Sequence, residues 1–265
     1  LLKKRDSASA ARRVRAILAY DGTSYSGFQR QANAPTVQAA LEEAIGEVTG
    51  EESGVIGAGR TDAGVHAVGQ VVAFDTSWIV GEGGSEARET GRAPGDLQRA
   101  LNAVLPKDIA IRELRLAASG FHPRYDARSR SYGYSVYNAP VRDPLSRWYA
   151  LHVRGAIETE AMQEAALLLV GEHDFAAFGR PTQGGSTVRR VIEAGWLGEP
   201  PRLRFGIEAN AFLFRMVRSI VGTLLEVGRG RARVDDVRGI LASGDRGQAG
   251  ATAPAHGLCL MEVKY

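Results

Sequence analysis

Asp62 is the residue of this chain with the most chemistry to offer. It lies in Gly59-Arg60-Thr61-Asp62-Ala63-Gly64-Val65-His66-Ala67, a stretch that sets one acid beside one guanidinium and has glycines where a backbone must come close to something. The positive charge of Arg60, two residues away, suits an acid that works as a nucleophile better than one that works as a general acid. Taken alone, Asp62-Ala63-Gly64 reads equally as an ordinary turn with Arg60 as a surface partner, because Asp and Gly form turns readily. His66 follows Asp62 by four positions, a spacing found in helical metal sites. The other histidines, at 122, 152, 173 and 256, show no such pairing, so no metal is expected. Three further groups could act on a substrate. Tyr132 shares a strand with Tyr134 and Val136; Arg215 and Arg218 are three apart in a helical pattern; Gln29, Arg30 and Gln31 follow a Gly-Phe turn. Each also has a plain structural reading, as an amphipathic strand, a solvated helix face and a polar loop.

The elements that must hold these residues can be read from periodicity. Val55-Ile56 runs into the Asp62 stretch and Val71-Val72-Ala73-Phe74 leaves it, so the stretch joins two strands and shows its side chains at a sheet edge, where functional residues concentrate. Before it, residues 13–20 alternate as a strand with Val14, Ala16, Leu18 and Tyr20 on one face. Thr36 caps a helix carrying Val37, Leu41, Ala44, Ile45 and Val48 and ending at Gly50. After strands 54–58 and 68–75, a helix from about Asp96 to Pro106 and a strand over 109–117 complete a β-α-β-β-α-β order, a ferredoxin-like unit. The second half repeats the rhythm: strand 130–137, helix 159–170, strands 187–197 and 202–210, helix 212–227 and strand 258–264. A strand at 141–153 and a short helix at 234–242 decorate it. The predicted fold class is α+β, with two ferredoxin-like units. The predicted division is a disordered tail at 1–12, an N-terminal domain at 13–118 holding the 59–67 loop, and a C-terminal domain at 119–265. Gly81–Glu86 reads as a flexible loop.

At 265 residues and 44% hydrophobic content the chain can bury a substantial core in one large or two small domains. No apolar run reaches the roughly 18–20 residues of a membrane span, and Lys3, Lys4, Arg12 and Arg13 lack the apolar core of a secretory signal behind them, so a cytoplasmic location is expected. Cys259, the single cysteine, reads as a buried thiol. The net charge is +3 and the pI near 9.1; of 33 basic residues 29 are arginine, the side chain suited to phosphate and to base stacking. An arginine-rich genome would leave the same mark.

The nonamer around Asp62 resembles the catalytic loop of the tRNA pseudouridine synthase A family. The resemblance continues, in order, through Tyr20–Gln31, Phe121-His122-Pro123-Arg124, Ser131-Tyr132-Gly133-Tyr134, Asn210–Arg218 and Ala253–Leu258, nearly the full chain. It implies a pseudouridine synthase fold with a shared antiparallel sheet and a central basic cleft. It also implies an isomerase acting on uridines 38, 39 and 40 of the tRNA anticodon stem-loop, without cofactor, as a homodimer. By the same resemblance Asp62 is the catalytic aspartate, Tyr132 the active-site tyrosine and Arg218 the partner of Asp62. Arg60, Gln29, Arg30, His66 and Arg215 are then candidates to contact RNA, and Trp148 and Trp196 are apolar residues surplus to one core that a second subunit would cover. The chain departs from the family pattern in two places: no arginine stands beside Tyr132 and Tyr134, and Gly179 displaces a basic residue. Two rivals are weaker. A non-catalytic RNA-binding protein would have no reason to keep an acid in an anion site. A dinucleotide-binding reading of Gly57-Ala58-Gly59 fails because Asp62 stands where the third glycine belongs.

Overall fold

The structure is a computed structural model and describes residues 11–80, 92–181 and 184–265. The tail expected at 1–12 lies mostly, and the loop expected at 81–86 wholly, outside the described residues. The described residues form two units, one of residues 11–61, 69–80 and 92–126 and the other of residues 62–68, 127–181 and 184–265.

In the first unit, β1 (Arg12–Tyr20) buries Val14, Ala16, Leu18 and Tyr20 on one face, as strict alternation dictates. It pairs antiparallel with β4 (Ile109–Leu116), from Val14↔Leu116 to Tyr20↔Ile109. On its other side lies β3 (His66–Thr76), to which the two-residue β2 (Ile56–Gly57) pairs antiparallel. Helix α1 (Val37–Thr49) begins where Thr36 Oγ1 accepts from the Ala39 amide at 3.3 Å and ends at Gly50 in the left-handed region. Helix α2 (Pro94–Val104) starts two residues before the expected Asp96. Proline fits the first helical turn, and the Asp96 carboxylate accepts from the Ala93 amide at 3.0 Å. The two helices pack on each other, and Leu41, Ile45, Leu97 and Leu101 on them are fully buried.

In the second unit the strands run β10-β5-β9-β8-β7, with β6 against β5 and the first residues of β3 against β10. They are β5 (Ser129–Asn138), β6 (Leu151–Val153), β7 (Gly171–Asp174), β8 (Val188–Glu199), β9 (Arg202–Ala209) and β10 (Leu258–Lys264). Apart from β3 with β10 and β5 with β6, the pairs are antiparallel. Helices α3 (Thr159–Leu167), α4 (Met216–Gly228) and α5 (Val234–Ser243) bury Met162, Val217, Ile220, Leu224 and Val237 in a core shared with Tyr134, Phe175 and Phe205. The architecture is α+β with mostly antiparallel strands, as expected. Among the described residues no helix is long and apolar enough to cross a membrane.

Three expectations change. The strand sought in 141–153 occupies only Leu151–Val153, because Asp143 folds the preceding residues into turns by accepting from the Leu145 amide and the Ser146 hydroxyl. Helix α4 starts at Met216 instead of Phe212: Phe214 forms a bridge to Arg180, and Arg215 takes a left-handed φ of 63°. The loop 59–67, expected whole within the first domain, is divided after Thr61. Asp62–Val68 goes with the second unit because Val65 is buried in that unit's core and His66 pairs in register with Cys259.

Candidate active site

The loop is pinned on both sides of Asp62. In the first unit, Gln70 Nε2 donates to Gly59 O at 2.9 Å, the Thr61 and Tyr20 hydroxyls meet at 2.8 Å, and the Phe28 amide donates to Thr61 O at 3.1 Å. In the second, the Val65 amide donates to Asp62 O at 3.1 Å, closing a turn in which Gly64 has φ 76°. A side chain at 64 would strain that turn, so the glycine is required by the backbone. Buried Val65 then anchors the exit.

The turn aims the Asp62 carboxylate at Arg218 on α4. Arg218 Nη1 donates to Asp62 Oδ2 at 2.9 Å, with the side chains 14% and 21% exposed, a pair partly shielded from water yet open to a ligand. Arg218 Nε donates to Ala253 O at 2.7 Å, which fixes the plane of the guanidinium. Among the described residues, Asp62 Oδ1 has no hydrogen-bond partner. One carboxylate oxygen is held and the other is available, the arrangement a nucleophile or a charge stabiliser needs.

Tyr132 lies on β5, half-buried, with its ring edge-on to Phe212 at 5.0 Å between centroids. Burial pushes its hydroxyl up to about 12, Arg130 opposes this, and the negative charge of Asp62 adds to it. The phenol is therefore neutral throughout the physiological range. Tyr134, two residues on and on the same face, is fully buried and donates its hydroxyl to Pro254 O at 2.8 Å. Of the two tyrosines, Tyr132 alone is partly exposed.

The remaining candidates separate. His66 was expected to contact RNA, but it is 6% exposed and its Nε2 lies 2.9 Å from Trp148 O and 3.1 Å from His256 O; a ring so enclosed cannot reach an RNA chain. Arg215 does not share a helical face with Arg218, since it precedes α4; it is exposed, and its guanidinium and that of Arg180 each lie 4.9 Å from the Phe214 ring centre. Arg60 is exposed, and no carboxylate pairs with it among the described residues. Gln29 is exposed, whereas Arg30, also exposed, is tied to Glu42 at 2.6 Å. These last three belong to the first unit.

One departure from the expected pattern has a steric cause, and at the other an arginine of β9 lies close. A Cβ at 133 would lie 2.5 Å from Arg204 Nε, the mobile end of a β9 side chain that lies beside the tyrosines. A Cβ at 179 would lie 2.5 Å from that of Leu213. Sequence reasoning missed the carbonyls of Ala253, Pro254 and His256 as partners of the site. A signal was present in the small, turn-prone run Ala253-Pro254-Ala255-His256-Gly257. Among the described residues no cluster of side chains could hold a metal.

A family model described as tRNA pseudouridine synthase matches residues 16–126 and 165–265. The chain is 45% identical over 255 residues to tRNA pseudouridine synthase A of Geotalea uraniireducens, covering 96% of this chain and 100% of that protein. It is 43% identical over 264 residues to the protein of the same name from Brevibacillus brevis, with the same coverage. Among solved structures, one described as a Cbf5-Nop10-Gar1 complex aligns over 93% of this chain and 48% of the other at 14% identity and a TM-score of 0.35, too low to carry an argument.

Proposed function

The chain belongs to the tRNA pseudouridine synthase family, and on that premise we propose that Asp62 is the group with which it isomerises uridines 38, 39 and 40 in the anticodon stem-loop of tRNA. The reaction class follows from membership: the enzyme is an isomerase that converts uridine in tRNA to pseudouridine. The observation that carries the assignment to Asp62 is its ion pair with Arg218, held at 2.9 Å while Oδ1 stays uncommitted.

Isomerisation breaks the bond between N1 of uracil and C1′ of ribose, turns the base, joins C5 to C1′ and moves a proton from C5 to N1. Nothing is oxidised or reduced. A carboxylate serves by attacking the sugar or the ring, or by stabilising a cationic sugar, as in glycoside hydrolysis. The target must first leave its stack, at a cost of a few kcal/mol that contacts to RNA offset. Arg60, exposed and two residues from Asp62, suits the vacated space or a phosphate, and exposed Gln29, Arg30 and Arg215 suit the RNA backbone. Arg30 would have to give up Glu42 to do so. Tyr132 offers a ring for the uracil. Its raised pKa favours a neutral phenol that stacks and relays a proton over a standing phenolate base.

A homodimer in the cytoplasm completes this reading. The dimer is supported by Val141, Leu145, Trp148 and Tyr149, which leave apolar surface exposed along one loop. Trp196, also expected to be surplus, instead packs on Phe205 at 5.3 Å. The test is to treat unmodified tRNA with the purified protein and map pseudouridine by carbodiimide-induced stops of reverse transcription. Stops at 38, 39 or 40 support the proposal, and stops confined to other positions contradict it.

A further inference from the structure

Five residues of the second unit, Ala253 to Gly257, meet Arg218, Tyr134 and His66. Ala253 O accepts from Arg218 Nε at 2.7 Å, and the Ala253 amide returns a bond to Arg218 O at 3.0 Å. Pro254 O accepts from the Tyr134 hydroxyl at 2.8 Å. His256 O accepts from His66 Nε2 at 3.1 Å. The Ala255 Cβ lies 3.4 Å from where a Cβ on Gly64 would be, so it faces the turn that presents Asp62. A Cβ on Gly257 would fall 2.6 Å from the Tyr134 ring, so the segment lies directly on that ring.

We infer that residues 253–257 act as a strap that sets the angle of the Arg218 guanidinium to Asp62, and that His66 and Tyr134 are the positioning residues that hold the strap. The inference rests on the roles proposed above for Asp62 and Arg218. The arrangement is one of shared anchors. His66 Nε2 faces two carbonyl oxygens, which only accept, so it carries the hydrogen and donates to both. One ring thus ties three segments together: the start of β3, four residues from Asp62; the strap at His256; and the loop at Trp148, whose neighbour Tyr149 has its ring 5.2 Å from that of His66. Arg218 has its Nη1 on the loop and its Nε on the strap, so a strap that shifts against the loop turns the guanidinium away from the carboxylate. Neither His66 nor Tyr134 needs to touch RNA for this, and both are buried.

The test compares His66→Leu, which removes the donor, with His66→Gln, whose Nε2 restores one at nearly the same reach, alongside Asp62→Asn. A displacement of about 1 Å at reacting groups costs on the order of 100-fold in rate. His66→Leu is therefore expected to lower kcat for tRNA roughly 10- to 100-fold with KM unchanged, and His66→Gln to recover most of the loss. Wild-type kcat in His66→Leu, or a glutamine variant no better than the leucine one, overturns the inference. Should His66→Leu not fold, Tyr134→Phe removes only a hydroxyl from the other anchor: a severalfold fall in kcat at constant KM supports the strap, and an unchanged kcat overturns it. Asp62→Asn separates the two readings. If it is inactive while the His66 and Tyr134 variants turn over normally, the strap fails alone; if it is active, the site itself is misassigned and the strap falls with it.

Discussion

Two tyrosines on one face of β5 differ by what their hydroxyls meet. Tyr134 spends its hydroxyl on Pro254 O, while Tyr132 keeps its own near the charge of Asp62. Tyr132→Phe is therefore expected to slow single-turnover isomerisation far more than Tyr134→Phe, with tRNA binding intact; equal rates for Tyr132→Phe and wild type would reduce that hydroxyl to packing. The raised pKa sets a further expectation. Because the phenol stays protonated up to about 12, the rate should show no inflection near pH 10, the ordinary tyrosine value. A pH profile whose Tyr132-dependent component rises through 10 would mean that the phenolate is the working form. The roles of these residues were only partly legible in the sequence. Asp62 stood out through its neighbours, and Arg218 through the family pattern alone. His66 looked like a polar ligand-binding residue because its spacing from Asp62 says nothing of the carbonyls of Trp148 and His256, which are 82 and 190 positions away.

Secondary structure was legible where a local rule decides it and obscure where a distant strand does. The alternation of Val14, Ala16, Leu18 and Tyr20 marks β1, and Thr36 marks the start of α1. Replacing Thr36 by Ala removes an N-cap and is expected to lower unfolding stability by about 1 kcal/mol while leaving turnover untouched. Chemical denaturation with a parallel activity assay checks both. By contrast, Gly171-Glu172-His173-Asp174 carries no apolar alternation, and β7 exists because it pairs with β8 from Gly171↔Val191 to Asp174↔Val188. Phe212-Leu213-Phe214 has the apolar character of a helix start, yet its backbone is used in the bridge to Arg180, which delays α4 by a turn. Burial also raises the hydroxyls of Tyr25 and Tyr134 above their ordinary value of 10.0, with the hydrogen bond to Asp108 adding to it for Tyr25. A group whose folded pKa is raised lends stability in full below its unfolded value and loses it as pH climbs through the folded one. Stability should thus hold through pH 9 and fall beyond about 10. Denaturant midpoints that are flat from pH 9 to 11 would contradict the burial of these groups.

Across the whole chain, the +3 net charge is small beside the 33 basic and 30 acidic residues that produce it, so RNA binding depends on how the arginines are grouped. If they track a phosphate backbone, log affinity for tRNA should fall with log salt by about 0.7–0.9 for each phosphate contacted. A slope near zero between low and physiological salt would remove the arginines from the footprint. Light scattering should give twice the 28.4 kDa of one chain, with the exposed apolar loop at Val141–Tyr149 as the first place to seek the contact; a fully active monomer would leave that loop without this role. These measurements bear on how RNA is held, whereas the account as a whole turns on Asp62. Forming the bond at C5 expels the hydrogen there, so tritium release from tRNA carrying 5-tritiated uridine reports the chemistry itself. Wild-type protein should release tritium, and Asp62→Asn, which keeps the size of the side chain but removes its charge, should release essentially none while binding tRNA as tightly. Turnover by Asp62→Asn within tenfold of wild type would take Asp62 out of the mechanism.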